Sequence, residues 1–336
     1  MAHLTATVIG PAMSQLPLPE WAPHQAVWIG FPSAADLWED DLAPAQAEVA
    51  AFAAAVHADG AGERVWLVVA DETAAGEARR LAPFADVIIE PFGDIWLRDT
   101  GSIVIGGGSG RRAQGFGFNG WGGKYDLPGD DSIGARLAAE AGLAYVKADW
   151  ILEGGAVDGD GSGTFITTEQ CLLNPNRNPG FDKEEVESRL KRDLGATRVV
   201  WLGDGLLNDH TDGHVDNLAR FVAPNRVAIP EATSEDPNAQ AYADAAEALL
   251  DADLEVVAIP SPGNVERDGE IVPASYMNFY IGNAAVVVPL YGAPNDGAAV
   301  EAIQELFPDR RVIGLRADHI LTGGGSFHCI SQQVPS

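Results

Sequence analysis

Cysteine is scarce: the 336-residue chain has two, Cys171 and Cys329. Two cysteines build no disulfide framework, so a reduced, cytoplasmic setting is expected. Positive charge is scarce as well. Against 49 Asp and Glu stand 21 Lys and Arg, a formal net charge of −28. That balance argues against nucleic acid as a partner, because phosphates need Lys and Arg. It suits a cationic partner, which an acidic cleft concentrates, although most of the carboxylates are expected to form a solvated surface. No apolar run reaches membrane-spanning length, so no membrane partner is expected. The opening MAHLTATVIGPAMSQLP lacks the basic-then-apolar pattern of a signal peptide. With 46 % apolar and 21 % charged residues the chain is ordinary for a globular protein with a large core.

What is present is a recurring unit. Five times, over 43–69, 131–149, 182–202, 238–260 and 295–315, a helical pattern breaks briefly and runs into Val/Ile-rich alternation. Between units lie strand pairs such as NLARFVAPNRVAIP and YMNFYIGNAAVVVP, which predict hairpins. Fivefold repetition of strands with one helix predicts a closed, propeller-like α/β arrangement with few exposed edges. Polar clusters follow the units: IWLRDTG (95–101), LEGG (152–155), DHTDGHVDN (209–217) and GGGSFHC (323–329). In a closed ring, equivalent points of successive units face one another, so these clusters would share one pocket.

Their chemistry is specific. Cys329 follows three glycines that let backbone approach a ligand closely, and a thiol in that setting is a candidate nucleophile. Cys171, in EQCLLNP, is expected to be a small buried core residue. His328 would point away from Cys329 in extended backbone and so is a poor base for it. His210, Asp212, His214 and Asp216 are spaced by two and would share one face if extended. They form either a metal-ligand set or a general acid/base, His214, beside a cation-binding carboxylate, Asp216. Gly213 permits a bend that would break the spacing. Asp99 lies between Arg98 and a turn, and Glu153 follows an apolar pair, where a buried carboxylate needs a partner. One chemistry uses all of these groups. Two carboxylates grip a planar guanidinium, a thiolate attacks its central carbon, and a histidine oriented by another carboxylate protonates the departing ammonia and then activates water.

The stretches EWAPHQAVWIGFP, GDIWLRDTG, FNGWGGKYD, LEGGAV, CLLNPNRNPG, DGHVDNLARFV, SYMNFYIGN and GGGSFHCISQQ, in this order over about 20–333, resemble the agmatine deiminases. These are guanidine-modifying proteins of the pentein superfamily, which also holds bacterial peptidylarginine deiminases. The resemblance implies a single pentein domain over 1–336, no metal and no organic cofactor. It also implies conversion of agmatine to N-carbamoylputrescine and ammonia, a step toward putrescine and the polyamines. By motif position Cys329 is the nucleophile, His214 the acid/base, Asp99 and Asp216 the guanidinium holders, and Glu153 the partner of His214. Trp96 and Trp121 would line the pocket, each contributing about 0.5–2 kcal/mol of cation–π attraction, and Asn278 would reach it. Departures are Gly93-Asp94, Gly101-Ser102 and above all His210, which stands where agmatine deiminases commonly carry an acidic residue that would meet a distal amine. Another guanidine, such as an arginine derivative or a peptidylarginine, is therefore the alternative substrate. A metallohydrolase built on 210–216 is the alternative mechanism, and a ligand-binding, non-enzymatic relative remains a third option. The FNGWGGKYD loop offers Lys124 but no arginine for a substrate carboxylate. The oligomeric state, a homo-oligomer included, is left open.

Overall fold

The computed structural model describes residues 16–336. In chain order its strands are β1 (His24–Gly30), β2 (Arg64–Val69), β3 (Asp86–Ile89), β4 (Ile103–Ile105), β5 (Arg112–Gly117), β6 (Ala144–Ile151), β7 (Val157–Gly159), β8 (Thr164–Thr168), β9 (Arg198–Leu202), β10 (Arg220–Ala223), β11 (Arg226–Glu231), β12 (Glu255–Pro260), β13 (Glu266–Arg267), β14 (Glu270–Ile271), β15 (Tyr280–Ile281), β16 (Ala285–Leu290), β17 (Arg311–Arg316) and β18 (Ser331–Pro335). Four sheets, β4-β5-β6, β7-β8-β9, β10-β11-β12 and β15-β16-β17, repeat one plan. A hairpin pairs the first two strands antiparallel, and a helix then crosses to a third strand parallel to the second. The crossing helices are Asp130–Glu140, Lys183–Leu194, Ala239–Asp251 and Asp296–Leu306. All five units predicted from periodicity, and both hairpins, are present.

The fifth sheet, β18-β1-β2-β3, joins the two ends of the described chain. β18 pairs antiparallel with β1 (Val27 opposite Gln333, Trp28 opposite Gln332), and the helix Leu42–His57 leads to the parallel β2. The C-terminal strand thus supplies the hairpin partner that the first unit lacks, which closes the ring and covers an edge. This is the fivefold α/β propeller, the pentein fold.

The helices form for local reasons. In Lys183–Leu194 the Asp182 side chain caps Glu185 N, Glu184 and Glu185 stand in the first turn, and Lys191 and Arg192 in the last. Val186, Leu190 and Leu194, four apart, are its buried residues, and Gly195 ends it at φ 72°.

The closing strand matters for function because of what precedes it. Just before each innermost strand the chain makes one short turn: Leu97–Thr100, Gly154–Ala156, Val215–Asn217, Tyr276–Asn278, and residues 327–330 ahead of β18. The first four touch one another in that order, Asn278 bonds to Cys329, and Arg98 N donates to Cys329 O at 3.0 Å to complete the circle. Asp99, Glu153 and Asp216 each stand four residues ahead of the first residue of their strand, at Ile103, Val157 and Arg220. Equivalent positions of the repeat therefore do face one another.

Candidate active site

Cys329, Asp99, Trp96 and Trp121 line a cavity of about 180 Å³ together with Trp38, Tyr125, His210 and Gly323–325. The glycine run is there for closeness. A Cβ on Gly323 would stand 2.4 Å from the Trp96 ring, and one on Gly325 would stand 2.6 Å from that ring and 3.0 Å from Cys329 Cβ. Cys329 Sγ accepts a hydrogen bond from Asn278 Nδ2 at 3.0 Å and donates to Asp216 Oδ2 at 3.5 Å. Burial, then the charges of Asp216 and Asp99, pushes the thiol well above its ordinary value.

The two aspartates are held differently. Asp99 accepts from Gly155 N and from Trp121 Nε1, both at 2.9 Å. Burial raises its carboxyl, Asp216 and Glu153 add to the rise, and His214 offsets part of it. Asp216 Oδ2 accepts from His328 Nδ1 at 2.7 Å. Its carboxyl lies below the ordinary range: burial works to raise it, and His328, His214 and Arg220 outweigh burial. Asp216 Oδ1 is buried and has no partner among the described residues.

His214 is fully buried, with Nδ1 3.6 Å from Asp99 Oδ1 and neither ring nitrogen hydrogen-bonded among the described residues. Burial lowers its pKa, but Asp99, Cys171 and Glu153 prevail, and it lies well above the ordinary value. A Glu153 oxygen, Cys171 Sγ and a His214 nitrogen lie within 4.8 Å of one another. Cys171 is completely buried, as expected of a core residue, yet it adjoins the site.

The cage is also shaped by an unusual loop. Residues 120–123 all have positive φ, Trp121 at 53° among them. That backbone disfavours a non-glycine residue. The loop places the Trp121 indole on Asp99. Trp96 donates to Asp94 Oδ2 at 2.6 Å and Trp38 to Asp94 Oδ1 at 3.0 Å, and the two rings stack at 6.4 Å and 28°. Asp94 thus sets both walls, and burial raises its carboxyl to about 6. Gly93 beside it allows close approach, since a Cβ there would meet Leu127 Cβ at 2.4 Å.

Three expectations need correction. The set His210, Asp212, His214 and Asp216 does not share a face: Asp212 (φ 62°) and Gly213 (φ 84°) turn the chain. Asp212 faces Lys124 and Arg177, His214 is buried beside Asp99, and Asp216 adjoins Cys329. Among the described residues the donors that converge as a metal could use them are instead Glu153, Cys171 and His214, and Arg177 already occupies Glu153. His328 does not point away from Cys329. Residues 327–330 form a turn rather than a strand, so both side chains reach Asp216. The direct partner of Glu153 is not His214 but Arg177, whose Nε donates to Oε1 at 2.9 Å between two fully buried side chains. Arg177 also grips Asp212 and donates to Thr211 O at 2.7 Å, tying Glu153 to the loop that carries His210 and His214. Sequence reasoning missed Arg177, Asp94, Trp38 and Glu20. For Arg177 the available signal was its place between asparagines in NPNRNPG.

His210 lines the cavity at its exposed end, with Nδ1 3.3 Å from Tyr125 Oη. Lys124 donates to His210 O at 2.7 Å and to Asp212 at 2.6 Å, so its charge is already paired. Among the described residues no arginine lines this cavity.

Known proteins share this architecture. An agmatine deiminase from Stutzerimonas stutzeri is 39 % identical over 94 % of each chain. The structure of an agmatine deiminase from Enterococcus faecalis superposes with a TM-score of 0.90 at 32 % identity, covering 98 % of this chain and 99 % of the other. That of C. jejuni agmatine deiminase gives 0.86 at 27 % identity over 95 % and 96 %. The family model of the Porphyromonas-type peptidyl-arginine deiminases matches residues 16–335, from the first described residue to the end of β18. With the closed ring and nearly the whole chain matched, this protein belongs to the Porphyromonas-type peptidyl-arginine deiminase family.

Proposed function

We propose that the protein is an agmatine deiminase, a hydrolase that converts agmatine and water to N-carbamoylputrescine and ammonia through a covalent amidino-Cys329 intermediate. The observation that carries this reading is the pair of buried carboxylates around the cavity-lining Cys329 thiol: Asp99, which lines the same cavity, and Asp216, whose Oδ2 lies 3.5 Å from Sγ. An empty cage of this kind disfavours the thiolate, and a bound guanidinium reverses that by neutralising the carboxylates that oppose it. As the guanidinium binds, the thiol proton leaves Sγ by way of Asp216 Oδ2, 3.5 Å away, for water, so that Asp216 is charged again when Sγ attacks. Sγ then bonds to the central carbon, and His214, whose raised pKa keeps it protonated at neutral pH, gives its proton to the departing nitrogen. Ammonia leaves. The now neutral His214 takes a proton from water as the water oxygen attacks the same carbon; the C–S bond then breaks, the hydroxyl proton passes to the departing sulfur, and the carbamoyl product leaves with Cys329 again a thiol. Arg177 and Glu153 hold the loop and the field around His214, while Trp96 and Trp121 flank the cation. Asn278 steadies the thiol.

Agmatine is favoured over arginine because, among the described residues, no arginine lines the cavity and Lys124 is paired, so the cavity lacks the unpaired Arg or Lys that a substrate carboxylate calls for. Other guanidines remain the second substrate class, on the strength of His210 at the exposed end. Among the described residues no helix is long and apolar enough to cross a membrane. Two free, buried thiols fit a reducing cytoplasm, and residues 1–336 are read as one functional domain. The test is ammonia release from agmatine, arginine, methylated arginines and arginine-terminated peptides. Agmatine should give the highest kcat/KM, and release from none of them would refute deimination.

A further inference from the structure

The proposed reaction leaves one buried histidine without a task. His328 is 2 % exposed and immediately precedes Cys329. Both its ring nitrogens end on carboxylates: Nδ1 lies 2.7 Å from Asp216 Oδ2, and Nε2 lies 2.8 Å from Glu20 Oε2. A neutral imidazole has one N–H and one lone pair, so it would set that lone pair against a carboxylate oxygen. Only the imidazolium donates at both ends.

The surroundings agree with that proton. Glu20 Oε2 also lies 3.0 Å from Arg220 Nη2 and 3.4 Å from Arg98 Nη2. Arg220 Nε is 3.5 Å from Asp158 Oδ2, and Arg98 Nε donates to His328 O at 3.3 Å. The carboxylates Glu20, Asp158 and Asp216 therefore face the cations Arg98, Arg220 and a protonated His328. Without that proton the cluster would bury an uncompensated negative charge, which is costly. Glu20 stays well below the ordinary range against burial, through Arg220 and then His328.

We infer that His328, as an imidazolium locked between Glu20 and Asp216, is a positioning residue that fixes Asp216 Oδ2 and leaves Oδ1 free for the substrate cation. Asp99, by contrast, is held by two neutral donors, Gly155 N and the Trp121 indole. The cage thus has one carboxylate hydrogen-bonded to a cation and kept charged, and one whose hydrogen bonds come from neutral groups, with His214 3.6 Å away. The bridge itself stands on geometry, and its role toward substrate rests on the deiminase reading.

Ring-nitrogen NMR of the full-length, substrate-free protein, in the buffer used for turnover, should show both His328 nitrogens protonated. One deprotonated nitrogen there would overturn the bridge. For turnover, His328→Gln should raise KM for agmatine and lower kcat/KM roughly ten- to a hundredfold, as loss of a charge-assisted bond does. The acid limb of the kcat/KM profile should move to higher pH, because Asp216 loses the cation that keeps it ionised. Glu20→Gln, which touches His328 and not the cavity, should move the limb in the same direction. A purely structural His328 would lower Tm and leave the limb in place. Folded variants with wild-type KM and acid limb, beside an active wild type, overturn the inference alone. A wild type inactive on every guanidine overturns the inference together with the reading it rests on.

Discussion

The two ends of the cavity are built on opposite principles. The inner end is charged and closed: Asp99 and Cys329 line it and are nearly buried, and Glu153, His214 and Asp216, packed around them, are fully buried. The mouth is half-open and mostly uncharged toward the ligand, with Leu37 45 % and Tyr125 42 % exposed beside His210. Charges out of water act on one another strongly, so the inner end sets which chemistry runs. Contacts at the mouth compete with water and set which molecule enters. Substitutions inside should therefore remove turnover, and substitutions at the mouth should redistribute it among substrates.

The largest effect is expected at Cys329. Cys329→Ser should abolish ammonia release with Tm unchanged, because a hydroxyl is far harder to ionise than a thiol. Cys171→Ser, one neighbour away from His214 but with an O–H still in place, should keep most activity. Comparable losses in both would erase the distinction between nucleophile and neighbour.

Next comes the field around His214. Its raised pKa means that the protonated form is present at neutral pH and is lost as pH rises through that value. Glu153→Gln removes a contributor to the rise, so the basic limb of kcat should move to lower pH, with a fall in kcat itself. A limb that stays in place would show that Glu153 acts only through Arg177.

A smaller effect belongs to the wall. Both Asp94 oxygens accept from indoles, so Asp94→Asn sets an amide N–H against an indole N–H, at a cost of about 1–3 kcal/mol. KM should rise more than kcat falls. Because Asp94 titrates at about 6 in the fold against 3.8 ordinarily, the folded state holds its proton longer, and stability should decline as pH rises across that window. The decline should shrink in Asp94→Asn, as read by Tm against pH.

The smallest change, and the one that isolates the mouth, is His210→Glu. A carboxylate there should raise kcat/KM for agmatine by roughly tenfold through a charge-assisted bond to its ammonium, with little change for an alkylguanidine of equal length. Equal effects on both substrates would remove His210 from specificity.

Much of the fold was legible because its signals are local. The helix-then-strand pattern recurs five times, and each copy carries its own periodicity, as Val186, Leu190 and Leu194 illustrate. The residues that surround the cavity were legible as motifs, and equivalence within the repeat explains why distant motifs meet. Their partners were not legible, because partners are set by tertiary packing. Nothing in the order of residues says that Arg177 reaches Glu153, or that Glu20 lies across from His328. Spacing misled where backbone left the extended region: positive φ at Asp212 and Gly213 scattered the 210–216 set, and the turn at 327–330 brought His328 to the same carboxylate as Cys329.

The central claim is a covalent bond between Cys329 and the guanidine carbon. Rapid acid quench of the protein during turnover of agmatine, followed by peptide mass spectrometry, reads it directly. An amidino adduct should appear on the peptide holding Cys329, decay when substrate is exhausted, and be missing from the peptide holding Cys171. Ammonia release with no adduct on Cys329 at any quench time would contradict the account.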